Sequence, residues 1–253
     1  MIVTTSREPT QLQMSRAVQI AEEYGGTVVA WQDFRQMSCG EYLVVQRDRV
    51  VYQFAGCSLR YHPGMAMVRL RRLQSGARDR MLAAMDLRPG DAVLDCTLGL
   101  GQDALVVSSH VGMTGAVFGL EGSRSVACVT SWGLKDYPFP VDFLSAAHRI
   151  EVCWDRWQSV LPAIPANSYD VVYFDPMFDS SIQQSSGMAG LRPFALLDDL
   201  DHWGVEQAVR VARRRVVIKA RRGSACVRSL GFRLADRSRN SVQYGVIEVG
   251  EAV

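Results

Sequence analysis

A carboxylate, a proline and an aromatic ring stand in close succession at Asp175, Pro176 and Phe178, directly after the apolar run YDVVYF. A strand that ends this way suits a flat ring bearing an amine. Asp175 can accept hydrogen bonds from an exocyclic amine. Pro176 biases Asp175 away from the helical region, and Phe178 offers a face for stacking. The motif gains weight from VLDCTLGLGQDA, residues 93–104, a strand–loop–helix turn of the phosphate- or nucleoside-binding type. Gly99 and Gly101 let the backbone come close to a ligand, since they carry no Cβ. Glu121 ends the next apolar run, twenty residues after Gly101, where an acid that binds ribose hydroxyls belongs. Asp155 ends a third run, placed to meet an adenine amine.

The glycines alone leave two cofactors open, because Gly99-x-Gly101-x-x-Ala104 also fits a nicotinamide-dinucleotide turn. Asp95 would face a pyrophosphate poorly, yet it suits a cationic sulfonium ligand that carries an ammonium group. The DPMF segment has no role in hydride transfer. Taken singly, Asp95 could cap the following turn, and Glu121 and Asp155 could be ordinary strand-end acids. Their recurrence on successive strand ends favours a site.

The elements that must position these residues alternate from residue 91 onward, which implies a parallel sheet. Strands are expected at 92–95, 115–121, 149–155, 169–175 and 215–220, with helices from Gly99 to about His110, over Arg124–Leu134 and over Trp203–Val211. The tail FRLADRSRNSVQYGVIEV reads as two strands of an antiparallel edge. The fold class expected is α/β, a Rossmann-like, mostly parallel sheet preceded by a small mixed α/β module. That module spans 1–75 and the larger domain 76–253. The module should hold strands at IVTTS and TVVAW, a helix over Gln11–Tyr24 closed by Gly25-Gly26, and a hairpin in YLVVQRDRVVYQF. The segment Gly64–Leu87 reads as helical, closed by Arg88-Pro89-Gly90.

The 253 residues, 48% hydrophobic and 21% charged, match a water-soluble globular protein. No apolar run reaches the length of a membrane span. The N-terminus carries Arg7 and Glu8 where a secretion signal needs an apolar core, so a cytoplasmic protein is expected. Six scattered cysteines without a CxxC pair argue against a metal site. The net charge of +2 hides a clustering: Arg210–Arg239 holds ten arginines and one lysine against one acid. A second basic run comprises Arg69, Arg71, Arg72, Arg78 and Arg80. Such runs are either solvated faces or contacts to phosphate.

The chain resembles the class I S-adenosylmethionine-dependent methyltransferases. Within them it is similar to the ribosomal small-subunit methyltransferase J family, which methylates the exocyclic amine of a guanine in small-subunit rRNA. The resemblance rests on LDCTLGLGQDA, VVYFDPMF, LRPFA (191–195), RVVIK (215–219) and YHPGMAMVRLRRL (61–73), and spans roughly 60–250. It implies S-adenosyl-L-methionine as cofactor, with Asp95, Gly99 and Gly101 at its methionine end and Thr97 and Asp103 beside them. It implies Glu121 on the ribose and Asp155 on the adenine. Asp175, Pro176 and Phe178 would form the acceptor site. From the basic cluster itself, Lys219, Arg221 and Arg222 are expected to contact RNA, the two arginines because they follow the fifth strand at its C-terminal end, the edge where open parallel sheets bind ligands. Many amine methyltransferases carry a second proline where this chain has Met177, a substitution the methyltransferase J pattern tolerates. The polar segment DSSIQQSSGM differs from the basic loop expected beside rRNA. The implied partner is rRNA or the small ribosomal subunit, with neither membrane nor metal. Other readings stay open: a methyltransferase acting on a small molecule or a protein, a non-catalytic RNA-binding module, or a dinucleotide enzyme.

Overall fold

The computed structural model describes residues 1–37, 40–176, 194, 199–236 and 239–250. Phe178, Met177, the DSSIQQSSGM segment and all of LRPFA except Phe194 lie outside the described residues.

The N-terminal sheet is built from β1 (Ile2–Thr5), β2 (Thr27–Val28), β3 (Glu41–Val45), β4 (Val50–Phe54) and β5 (Cys57–Arg60), in the order β2-β1-β3-β4-β5. β1 runs parallel to β2 and β3, and β3–β4–β5 form an antiparallel meander. Helix α1 (Gln11–Tyr24) follows the expected span. Thr10 and Gln13 make a reciprocal capping box at its start, and Gly25 ends it in the left-handed conformation. The TVVAW strand shortens to two residues, because Trp31 opens the short helix α2 (Trp31–Phe34). The helical segment 64–87 is two helices, α3 (Met65–Gln74) and α4 (Arg80–Met85). Gly76 breaks it at φ 83°, and the Asp79 carboxylate caps α4 by accepting from the N–H of Met81 and Leu82.

The larger sheet contains β6 (Ala92–Asp95), β7 (Ala116–Leu120), β8 (Ile150–Cys153), β9 (Tyr169–Phe174), β10 (Ala212–Arg221), β11 (Arg233–Leu234) and β12 (Val242–Glu248). Its order is β11-β12-β10-β9-β6-β7-β8, parallel from β8 to β10 and antiparallel at β12 and β11. The connecting helices are α5 (Gln102–Val111), α6 (Arg124–Asp136), α7 (Val141–His148), α8 (Trp157–Val160), α9 (His202–Val211) and α10 (Ala225–Ser229). Chain order reverses between β6 and β9, which makes that junction the switch point where open α/β sheets bind ligands.

Side chains alternate across the strands and feed two cores. Val93, Val171, Tyr173 and Val217 pack with α5, α6 and the N-terminal sheet, while Leu94, Val172, Phe174, Val216 and Ile218 pack with α9 and Trp157. The first core runs without interruption into the N-terminal sheet. Arg16–Asp136 (2.7 Å) and Arg124–Glu41 (3.0 Å) bridge the same junction. Among the described residues, no helix is long and apolar enough to cross a membrane, and no cluster of His, Cys, Asp or Glu could hold a metal ion.

Candidate active site

The alternation that builds the cores also gathers the polar site. Asp95, Asp175 and Lys219 share the parity of Val93, Val171 and Val217, so all three leave the sheet on the face covered by α5. They open into a cavity of about 1060 Å³ at the C-terminal ends of β6, β7, β9 and β10. Thr97, Gly99, Asp103, Glu121 and Pro176 line it too, so most of the expected residues come together in one place.

Each is held by a specific contact. Gly99, at φ 54°, donates its N–H to Glu121 Oε2 at 2.9 Å, and its carbonyl accepts from the Thr130 hydroxyl at 2.8 Å. A Cβ on Gly99 would meet nothing within 4 Å, so the residue leaves room for a ligand to lie against the backbone. Glu121 Oε1 accepts from Ser123 N–H at 2.8 Å, so a backbone donor fixes each of its carboxylate oxygens. Asp95 is 3% exposed, and its carboxylate accepts the Thr97 N–H at 3.0 Å. Burial pushes its carboxyl up to about 8; Asp103 and Asp175 push the same way, against the Thr97 N–H and Lys219. A buried carboxylate with so little compensation fits a cationic ligand. The glycine turn, the buried acid and the carboxylate just after β7, all lining one cavity, fit S-adenosylmethionine.

Three expected residues behave differently. Asp103 does not present a free carboxylate to a cofactor. It pairs with Arg69 and with Lys219 (2.9 Å) and accepts from the Tyr173 hydroxyl at 2.8 Å. Burial opposes its charge, but Lys219 and Arg69 outweigh burial and hold it well below the usual carboxylate range. Gly101 caps α5 at φ 67° and does not line the cavity. Asp155 is exposed, accepts the N–H of Arg156 at 2.7 Å, and is absent from the lining, where Arg156 and Trp157 stand instead.

The basic cluster also divides. Arg213, Arg214 and Arg215 lie at the N-terminal end of β10, away from the cavity. They bind the Asn167 carbonyl (2.8 Å), Asp91 (2.5 Å) and Glu248 (2.8 Å). Lys219 parts from Arg221 and Arg222: its ammonium lies 2.7 Å from Asp175 Oδ2 inside the cavity, whereas Arg221 and Arg222 are exposed. Sequence reasoning counted Lys219 as an RNA contact because it sits in an arginine-rich stretch. The missed signal was its parity with Val217. Arg69 and Tyr173 were also missed, since nothing local marks them as partners of Asp103. In the second basic run Arg69 binds Asp79 and Asp103, and Arg80 binds Asp236 (2.9 Å). Arg72 and Arg78 are exposed at the cavity's edge.

The comparisons agree with this geometry. Residues 55–239 match the SAM_MT family, described as "Putative SAM-dependent methyltransferase". The "Uncharacterized protein YpiP" of Bacillus subtilis (strain 168) is 35% identical over 258 residues, 98% of this chain and 99% of that one. The "Ribosomal RNA small subunit methyltransferase J" of Dechloromonas aromatica (strain RCB) is 32% identical over 164 residues, 62% of this chain and 65% of that enzyme. This chain therefore spans just under two thirds of that relative's length. The fold is that of NGO1261 from Neisseria gonorrhoeae, a SAM-dependent methyltransferase, at TM-score 0.66 and 20% identity, covering 100% of this chain and 98% of that one. A nucleoside-type turn on a Rossmann-like sheet, a match across most of the chain and full-length likeness in sequence and fold lead to one conclusion: the chain belongs to the SAM_MT family of S-adenosylmethionine-dependent methyltransferases, and S-adenosyl-L-methionine is its cofactor.

Proposed function

We propose that the chain methylates the exocyclic amine of a guanine in small-subunit rRNA. The observation that carries this reading is the Asp175-Pro176 strand end, which shares a cavity with the cofactor turn. The cavity's size also favours it, being just above the range of about 300–1,000 Å³ usual for a single small ligand. The alignment with enzymes named ribosomal RNA small subunit methyltransferase J supports the substrate class. Arg72 and Arg78 at the cavity's edge, with Arg221 and Arg222 at the C-terminal end of β10, supply charge for a phosphate backbone.

In this reading Asp95 holds the ammonium end of the cofactor and Glu121 its ribose. The cofactor supplies a methyl group on a sulfonium, whose C–S bonding electrons stay with sulfur as the new C–N bond forms. The chain's own task is orientation and electrostatics. Asp175 and the carbonyl of Pro176 accept hydrogen bonds from the amine, which turns its lone pair out of the ring. They also stabilise the positive charge that develops on nitrogen until a proton leaves. A base within a helix must first be unstacked, at a cost of a few kcal/mol. Phe178, outside the described residues, is proposed to offset that cost by stacking, worth about 1–3 kcal/mol. Arg72, Arg78, Arg221 and Arg222 hold the flanking phosphates. Residues 1–75 and 76–253 are the two proposed units, and α3 of the first reaches the cavity of the second through Arg69.

The test is nucleoside mass spectrometry of small-subunit rRNA from cells with and without the gene. Loss of one N2-methylguanosine on deletion, restored by the wild-type gene and not by Asp175→Ala, is expected. An unchanged rRNA profile would exclude the substrate while leaving the methyltransferase assignment intact.

A further inference from the structure

Lys219 is one of two lysines in a chain with 26 arginines. The parallel register places Ile218 beside Phe174, so the next residues, Lys219 and Asp175, leave the sheet at the same level. The Lys219 ammonium donates to Asp175 Oδ2 at 2.7 Å and to Asp103 Oδ2 at 2.9 Å. Asp103 is held in turn by the Tyr173 hydroxyl and by Arg69, whose guanidinium is anchored on Asp79 at 2.8 and 2.9 Å. Four charges thus alternate in sign from α3 to the strand end: Arg69, Asp103, Lys219, Asp175. Both carboxylates line the cavity, and the chain of contacts ends at the more open one, with 36% of the Asp175 side chain exposed against 12% for Asp103. Among the described residues Oδ1 of Asp175 accepts no side-chain hydrogen bond, while Oδ2 is taken by Lys219.

We propose that Lys219 is a positioning residue for methyl transfer: its ammonium holds Oδ2 of Asp175, keeps that carboxylate ionised, and leaves Oδ1 for the acceptor amine. The inference rests on Asp175 being the acceptor-site carboxylate. The physical need is plain. Asp95, Asp103 and Asp175 crowd the ends of β6, α5 and β9, and the groups facing Asp175 are those two acids, Tyr173, Arg69 and Lys219. The Asp175 carboxyl sits above its usual value: burial first, then Asp103, push it up, and Lys219 and Arg69 offset only part of that. Without Lys219, the charge among these groups that still opposes proton uptake is Arg69, on the far side of Asp103. A protonated Asp175 would no longer attract the amine or offset charge on its nitrogen. The lysine is itself locked, because Asp175 and Asp103 overcome the effect of burial and hold its proton firmly. It therefore acts as a fixed charge and does not exchange protons with the reaction.

The test uses the full chain with carboxyl-labelled aspartate, the Asp175 resonance being assigned by its loss in Asp175→Asn. Lys219→Met should raise the Asp175 midpoint by about one unit or more, the scale set by an adjacent opposite charge. Lys219→Arg, which keeps the charge but moves it, should leave the midpoint near wild type. This titration needs no acceptor, so it stands even if the RNA reading fails. Where wild type transfers tritiated methyl to unmodified small-subunit rRNA, the acid limb of kcat should move to higher pH in Lys219→Met. Lys219→Arg should lower kcat with little change in KM. An Asp175 midpoint that is the same in Lys219→Met as in wild type overturns the proposal. If Lys219→Met does not fold, wild-type kcat in Lys219→Arg across the pH range overturns it instead.

Discussion

The hydroxyl oxygen of Thr97 accepts the backbone N–H of Asp175 at 2.6 Å. This bond joins the cofactor turn to the end of β9, the proposed acceptor site, just beyond the last backbone pair, Cys96 N–H to the Tyr173 carbonyl at 2.9 Å. The two ligand-facing segments are thereby held at one spacing, which methyl transfer requires of its reacting atoms. Thr97→Val keeps the shape and removes the acceptor. The expected loss of stability is about 0.5–1.5 kcal/mol, the scale of one neutral hydrogen bond. Turnover should fall by more than that loss accounts for, up to about 100-fold. Chemical denaturation paired with single-turnover kinetics checks both, and unchanged turnover would show that the bond is structural only.

Asp175→Ala should reduce methyl transfer by about two orders of magnitude or more, as expected when a group that stabilises transition-state charge is lost. Cofactor affinity should stay close to wild type by calorimetry. Near-normal turnover with the true acceptor would remove Asp175 from the acceptor site.

Asp95 predicts a pH-dependent affinity. With its carboxyl pushed up to about 8, the free protein carries a proton there at neutral pH, and the ammonium of the cofactor favours its release. Affinity for S-adenosylmethionine should therefore rise from pH 6 to 8, by at most about tenfold per unit, and level off above. Calorimetry in buffers of differing ionisation enthalpy reads the released proton, and flat affinity over that range contradicts the assignment. The sign for stability is opposite to that of an ion-paired acid. A folded value raised above the unfolded value of about 3.9 means the fold loses stability as pH climbs between the two. Asp95→Asn should thus unfold at a higher temperature than wild type at pH 7 while binding the cofactor poorly.

Glu121→Ala should weaken cofactor binding by about 1.5–3 kcal/mol, the scale of hydrogen bonds to a charged group. Part of that loss comes from the N–H groups of Gly99 and Ser123, which lose their acceptor. Glu121→Gln retains one oxygen and should fall between the two. Equal affinities in all three proteins would place the ribose elsewhere.

Arg72→Ala with Arg78→Ala, and separately Arg221→Ala with Arg222→Ala, should each weaken RNA binding and flatten the log–log salt dependence by about 1–2 units. Cofactor binding should not change. Arg214→Ala serves as the contrast. It removes the pair with Asp91, so it should lower stability and leave the salt slope untouched. If no pair changes the slope, the arginines are a solvated surface and a small-molecule acceptor gains weight.

Local pattern determined much of this protein. The glycine turn at 99–101, the acids ending β6, β7 and β9, and the alternation of strand and helix from residue 91 follow from side-chain chemistry and short-range periodicity. Each of these is written in neighbouring residues. The capping box at Thr10 and Gln13 and the hairpin around Arg47-Asp48 are local in the same sense. What tertiary structure decided was partnership. Lys219 and Asp175 are 44 residues apart in sequence, and only the pairing of β10 beside β9, in the register Ile218–Phe174, brings them to 2.7 Å. Asp103 looks like a free acid at a helix start until Arg69, Tyr173 and Lys219 converge on it from α3, β9 and β10. Arginine clustering in the sequence likewise does not reveal which side chains are consumed. A parallel strand sends the residues at its two ends to opposite edges of the sheet, so Arg213–Arg215 bind Asn167, Asp91 and Glu248 while Lys219 faces the cavity. Side-chain type and parity can be read along one strand. The charge a group meets depends on neighbours that the chain supplies from far away.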